Sequence, residues 1–259
     1  MASILSAGDG RNLVQDDTKF VEVARPDGRS PIVLVCEHAS PYIPASFQDL
    51  GVSPAARVSH VAWDLGAMAV ARAMSRILDA TLVSSQVSRL VYDCNRPPDA
   101  PDRMPTRSEA YDVPGNRDLT ESEKRAREAR YYLPFHDRLA AQIARRADPI
   151  IVTVHSFTPV YNGKARDVEI GIVHDSDSRL ADALLRVADK HDVRRNAPYG
   201  PIDGVTHTLK EHAIAHGHLN AMVEVRNDLI ADAASQMEMA QTLADWIAHA
   251  LKTVRATIC

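Results

Sequence analysis

The sequence has no run of about 20 apolar residues, so it offers no helix suited to span a membrane. It has no block of Lys or Arg and no basic stripe, and its formal net charge is only −4. Nucleic acid is therefore not an expected partner, and no acidic tail argues for disorder. Cys36, Cys94 and Cys259 are odd in number and lack metal-knuckle spacing, which suits free thiols in a reducing cytoplasm. Met1 to Gly10 lacks a basic start followed by a long apolar stretch, so no signal peptide is expected. Also missing are Gly-x-Gly-x-x-Gly, a phosphate loop and a Gly-x-Ser-x-Gly elbow, which weighs against nucleotide binding and classical serine hydrolysis. These absences leave a soluble, cytoplasmic, globular protein whose oligomeric state the sequence does not fix.

What is present is an α/β pattern in 259 residues, 45% of them hydrophobic, enough to bury a full core. Residues 1–30 are polar and expected as a loose lead-in. Strands are expected at Ile32–Cys36, Thr81–Ser84, Leu90–Tyr92, Val168–Val173 and Ala221–Val225, with another ending at His155. Helical spacing covers His60–Ala80, Leu119–Ala147, Asp177–His191 and Asp228–Thr257, and Thr120-Glu-Ser-Glu123 opens the second as a capping box. Such alternation predicts a three-layer α/β/α sandwich around a mostly parallel or mixed sheet. No repeat or linker divides the chain, so residues 1–259 read as a single domain. Residues 93–118, rich in proline and arginine, form one long irregular stretch, a length usually functional or disordered.

Two apolar runs stop at a histidine: Val33-Leu-Val-Cys-Glu37-His38-Ala-Ser40 and Pro149-Ile-Ile-Val-Thr-Val-His155-Ser156. Ligands collect at the carboxyl ends of strands in open α/β sheets, and two imidazoles meeting there suit a catalytic zinc. Each histidine is equally readable as a strand end satisfied by a backbone carbonyl. Asn95-Arg96 opens the long loop and pairs an amide with a planar guanidinium, donors suited to a carboxylate. Arg96 can instead pair with a local aspartate such as Asp93 or Asp99. Glu224 lies inside an apolar strand with Arg226 two positions on, facing the same way. A buried glutamate needs a partner or a raised pKa, which suits a general base, whereas an ordinary Glu–Arg strand pair is the plain alternative. Glu211-His212-Ala-Ile-Ala-His216 lacks a glutamate after its first histidine and reads as a solvated helix end closed by Gly217. Cys36 points into the strand interior and reads as a buried hydrophobe.

Taken in order, these pieces resemble the N-formylglutamate amidohydrolase-like proteins, distant relatives of the zinc carboxypeptidases. The likeness runs from about Pro31 to Leu229. It rests on Glu37-His38-Ala-Ser40 with Ile43-Pro44, Trp63-Asp64-Leu-Gly66, Ser88-Arg89 through Asn95-Arg96-Pro97, and Val154-His155-Ser156-Phe157. Pro198-Tyr199, Asp203-Gly204 and Glu224-Val-Arg226-Asn227 continue it. The resemblance implies a phosphorylase/hydrolase-like fold and a metal-dependent hydrolase of N-formyl or other N-acyl amino acids, most simply N-formyl-L-glutamate to formate and glutamate. It implies a zinc or other divalent ion on His38 and His155. Carboxypeptidases take a carboxylate ligand three residues after the first histidine, where this chain has Pro41. Asp64 is the expected replacement and Glu37 the alternative.

On this reading Glu224 is the base, and Arg96 with Asn95, joined by Arg89 or Arg226, binds the substrate carboxylate. The partner is a small N-acyl amino acid. A non-catalytic binder of acidic amino-acid derivatives, or a related deacylase or carboxypeptidase, would use many of the same residues.

Overall fold

The computed structural model describes residues 17–258. Its strands are β1 (Val21–Ala24), β2 (Ile32–Cys36), β3 (Thr81–Ser85), β4 (Arg107–Ser108), β5 (Tyr111–Asp112), β6 (Ile150–Phe157), β7 (Val160–Tyr161), β8 (Lys164–Ala165), β9 (Ile170–Val173), β10 (Val193–Arg195) and β11 (Leu219–Arg226). The helices are α1 (Pro54–Arg57), α2 (Ala67–Ile77), α3 (Glu121–Arg127), α4 (Leu133–Ala144), α5 (Arg179–Val187), α6 (His207–His212) and α7 (Ala233–Ile258). Seven strands form one sheet in the order β1-β3-β2-β6-β11-β9-β10. Its centre, β3-β2-β6-β11, is parallel, whereas β1 runs antiparallel to β3 and β9 antiparallel to β11. The sheet is therefore mixed, and the expected α/β/α sandwich is the fold found. Two hairpins, β4–β5 and β7–β8, stand apart from it.

Alternate side chains of each central strand enter opposite cores, which is why these strands read as unbroken apolar runs. Leu34, Val152, Val154 and Val223 meet Val70 and Met74 of α2, Leu184 of α5 and Ile247 of α7. Val33, Val35, Ile151 and Met222 meet Phe135 and Leu139 of α4 and Leu209 of α6. Continuing the second alternation toward the strand ends places His155 and Glu224 on this same face. They are register partners on β6 and β11. Parallel β2, β6 and β11 thus bring three chain segments to one end of the sheet.

Several expected boundaries move, each for a local reason. The first long helix starts at Ala67, not His60, because Gly66 turns the chain with a left-handed φ of 80°, where an added Cβ would lie 2.6 Å from the Ile230 carbonyl. Leu90–Tyr92 is a turn, closed by Val91 N–H to the Ser88 carbonyl at 2.9 Å. Its apolar side chains fill the core from a loop rather than from a ladder. The capping box holds: the Thr120 N–H bonds Glu123 Oε2 at 2.8 Å and the Thr120 hydroxyl accepts the Glu123 N–H at 3.2 Å. The helix it opens is broken by a π turn at Glu128–Tyr132, where Leu133 N–H reaches back to the Glu128 carbonyl, just before Pro134 removes a donor.

The expected lead-in lies partly outside the described residues. From Val21 onward it supplies the edge strand β1 rather than a loose segment. Strand β10 escaped the sequence reading because Arg194 and Arg195 give an edge strand no apolar run. Among the described residues no helix is long and apolar enough to cross a membrane.

One backbone contact sets the spacing behind Glu224. Gly171 on β9 pairs with Glu224, and a Cβ there would sit 2.0 Å from the Ala197 carbonyl and 3.2 Å from the Glu224 Cβ. Gly171→Ala is therefore expected to cost about 1–3 kcal/mol through overpacking. A lowered urea midpoint at unchanged slope would register this; an unchanged midpoint would exclude the crowding.

Candidate functional site

At the carboxyl ends of β2 and β6 a buried carboxylate faces two imidazoles. Asp64 Oδ2 is 2.9 Å from His155 Nδ1 and 3.3 Å from His38 Nδ1. His38 follows the end of β2, His155 lies within β6, and Asp64 precedes the Gly66 turn into α2. The Asp64 N–H bonds the His38 carbonyl at 3.0 Å, which ties that turn onto the strand end. All three residues are at most 3% exposed, and one ligand atom from each lies within 4.8 Å of the others. Zinc with nitrogen and oxygen ligands near 2.1 Å has tetrahedral edges of about 3.4 Å, so these separations suit a shared divalent ion.

The outer imidazole nitrogens also meet carboxylates. His38 Nε2 is 2.7 Å from Asp93 Oδ1, and His155 Nε2 is 3.1 Å from Glu37 Oε2, close but poorly aligned for a hydrogen bond. The Asp93 contact suits a neutral His38 protonated on Nε2, whose Nδ1 then presents a lone pair on the side where Asp64 lies. Arg89 spans the acids, 3.0 Å from Asp93 Oδ2 and 3.4 Å from Asp64 Oδ1.

Burial opposes ionisation of Asp64, yet the two imidazoles hold its carboxyl well below the usual range. Asp93 is likewise held low against burial by His38 and Arg89, and Glu37 chiefly by His155. Burial lowers the His155 imidazole pKa, but Glu37 and Asp64 outweigh it and raise it well above normal.

Glu224 differs from the other acids. It is 4% exposed, and its Oε2 has no hydrogen-bond partner among the described residues. Burial raises its carboxyl to about 7, with His155 opposing and Asp64 reinforcing. It lines a cavity of about 510 Å³ together with His38, Asp64, His155, Arg89 and Arg96. That volume lies in the range of small-molecule sites.

Known proteins bear directly on this constellation. The family model for N-formylglutamate amidohydrolase matches residues 30–231. The chain belongs to the N-formylglutamate amidohydrolase family. The crystal structure of a gene product from Agrobacterium tumefaciens is similar, with 52% identity and a TM-score of 0.90 over 91% of this chain and 96% of that one. The structure of N-formylglutamate amidohydrolase from Ralstonia eutropha shares the fold, with a TM-score of 0.66 at 19% identity, covering 92% of this chain and 99% of that one. No curated protein matches the chain.

Within this amidohydrolase scaffold the expected substrate-binding residues separate. Arg96 reaches the cavity, and its Nε and Nη1 bond Asp102 at 2.8 Å and the Gly204 carbonyl at 2.7 Å. Asn95 also lines the cavity, but it braces the backbone: Nδ2 donates to the Val205 carbonyl at 2.6 Å, and Oδ1 accepts from Thr208 N–H at 3.0 Å. Arg226 does not line the cavity and does not pair with Glu224. Instead it bonds Asp228 at 2.8 Å and the carbonyls of Arg166 and Asp167 at 3.2 and 3.0 Å. The strand ends at Arg226, and its side chain runs along the 166–169 segment. Asp93 was overlooked as a partner of His38, although it stands two residues before Asn95 in a motif already singled out. Tyr199 of the cavity wall stood in the Pro198-Tyr199 motif without an assigned role, and Arg166 had no such signal.

The segment from Glu211 to His216 needs a correction. His212 is not solvated: it is buried, and its ring centroid lies 4.4 Å from that of His136. Burial, then His136 and His207, lowers its imidazole pKa to about 4. In the unfolded chain the same imidazole titrates near 6.5. Between these values the unfolded state binds the extra proton, so stability is intact above about pH 6.5 and falls as pH drops toward 4, by up to about 3 kcal/mol from this residue. His212→Gln is expected to flatten that part of the urea-midpoint profile between pH 7.5 and 4.5. Identical slopes for variant and wild type would exclude the assignment.

Proposed function

We propose that the chain is a metal-dependent hydrolase that cleaves the amide of N-formyl or related N-acyl amino acids, with N-formyl-L-glutamate as the reference substrate. The observation that carries this reading is one cavity bordered by a His38–Asp64–His155 cluster and by Glu224, a buried acid with an unengaged oxygen. Charge supports it too. Glu37, Asp64 and Asp93 against Arg89 sum to two negative charges; protons on His38 and His155, both favoured by these acids, balance them, and a divalent cation would balance them in place of those protons.

His38, Asp64 and His155 would hold the ion, with Asp93 and Glu37 orienting the imidazoles. When bound, such an ion supplies Lewis acidity toward water and the acyl oxygen. Glu224 removes a proton from the attacking water as the new C–O bond forms at the acyl carbon. It then returns that proton to the amine nitrogen as the C–N bond breaks, giving a carboxylic acid and a free amino acid. A carboxyl raised to about 7 is well matched to both transfers. Arg96, braced by Asn95 and the Gly204 carbonyl, binds the α-carboxylate, while Arg89 tempers the charge of Asp64 and Asp93.

Zinc analysis and formate release together test the assignment. Both His38→Ala and His155→Ala are expected to lose bound metal and turnover, and full metal occupancy in both variants would exclude the centre. Glu224→Gln should keep its metal and lose about 10²- to 10⁴-fold in kcat. Undiminished turnover would remove Glu224 from the base role. Asp93→Asn should weaken metal affinity by about 10- to 100-fold in a competition titration with a chelator. An unchanged affinity would leave His38 without need of its carboxylate. Ligand-induced stabilisation without turnover, in metal-loaded wild type, would favour a binding protein over an enzyme.

A further inference from the structure

Among the described residues three arginines face the cavity, and one of them has no acid partner there. Arg89 is held by Asp64 and Asp93, and Arg96 by Asp102. For Arg166, which follows the β7–β8 hairpin, no carboxylate oxygen lies within 4.0 Å among the described residues. Aromatic rings hold it instead. Its guanidinium carbon sits 4.4 Å from the Tyr161 ring centroid, 4.9 Å from that of Tyr199 and 5.6 Å from that of Phe157. Nη2 donates to the Tyr199 hydroxyl at 2.9 Å, and Nη1 lies 3.4 Å from the Thr158 carbonyl. The backbone is equally constrained: its N–H bonds the Pro159 carbonyl at 2.8 Å, and its carbonyl accepts from Arg226.

This is a cation oriented before any ligand arrives, with most of its planar donor fork unengaged. Stacking on aromatic faces keeps the charge intact while limiting its rotamers. An arginine so placed at a cavity wall matches an anion two-pronged in shape, which is a carboxylate. Arg96 stands ready for one carboxylate, so a ligand that also engages Arg166 carries a second.

We propose that Arg166 is the specificity-determining residue for the ligand side chain, receiving the distal carboxylate of an N-acyl dicarboxylic amino acid while Arg96 receives the α-carboxylate. The proposal rests on the reading of this cavity as an N-acyl amino acid site, but it concerns recognition rather than cleavage. Tyr199 is then a positioning residue, since its hydroxyl aims the guanidinium. Arg226 serves the same arginine from behind, through the backbone carbonyl.

Binding measured without turnover separates this proposal from the hydrolase reading. Metal-loaded Glu224→Gln protein would be titrated calorimetrically with N-formyl-L-glutamate and with N-formyl-L-glutamine, which replaces only the distal carboxylate by an amide. The glutamate form is expected to bind at least about 10-fold tighter, the scale of a charge-assisted hydrogen bond. Adding Arg166→Gln should erase that preference and leave affinity for the glutamine form within about three-fold, while Arg166→Lys should keep part of it.

Equal affinity for the two ligands, binding of neither, or an equal loss for both on Arg166→Gln would overturn the proposal. If Arg166→Gln does not fold, Tyr199→Phe decides: loss confined to the glutamate form supports the assignment, and an unchanged or uniform effect overturns it. Absence of formate release from wild type would overturn the hydrolase reading alone, because the affinities stay measurable.

Discussion

The contact on which the site depends is the Asp64 carboxylate facing two imidazoles. Asp64 belongs to neither histidine's strand, so its position must be imposed from outside the sheet. Its N–H bonds the His38 carbonyl, its Oδ2 also meets the Ser156 N–H at 3.3 Å, and the Gly66 turn fixes where α2 departs. Removing the carboxylate would leave two buried imidazoles and the half-buried Arg89 with less compensation, and a buried charge that loses one partner is strongly destabilising. The reverse also holds. Without the histidines, Asp64, Asp93 and Glu37 would crowd like charges at one strand end. The cluster is thus stable only as a set.

The sheet topology explains why such a set can assemble here. Parallel β2, β6 and β11 all deliver their carboxyl ends to one side, where the chain leaves the ladder and side chains need not be apolar. On the face that carries His155 and Glu224, α4 and α6 cover the apolar portion, and loops cover the polar end. Antiparallel β9 then contributes Gly171 rather than a bulky partner opposite Glu224. The 93–118 stretch, irregular in sequence, is anchored to the 204–208 segment by Asn95 and Arg96. A mixed sheet flanked by helices therefore confers rigidity, and its loops supply the cavity wall.

Much of this arrangement was legible in the sequence, and the residues that were not share a cause. His38 and His155 stood out because each ends an apolar run, a purely local signal. Glu224 stood out as an acid inside a strand. Asp64 could be chosen as a partner, but its role depends on a turn that brings it across 26 residues to His38 and 91 to His155. Arg226 misled for the opposite reason. Period-two spacing sets which face a residue starts on, but at a strand end the side chain follows its nearest acceptors, here Asp228 and two carbonyls. Arg166 was invisible because an exposed hairpin precedes it and its aromatic neighbours come from Phe157, Tyr161 and Tyr199, a grouping that exists only after folding.

The unengaged oxygen of Glu224 discriminates between a binder and an enzyme more sharply than the arginines do. A protein built only to hold an acidic ligand gains from Arg96 and Arg166, but gains nothing from a further carboxyl on the same cavity. Ionised, Glu224 repels the ligand; protonated, it leaves a buried polar atom unpaired, at a cost of about 1–3 kcal/mol. Evolutionary retention is not needed for the point, since the penalty follows from geometry alone. On the proposed hydrolase reading that carboxyl has a use, since a proton would be taken up and given back beside the His38–Asp64–His155 cluster. Amide hydrolysis requires that transfer, and simple anion binding does not.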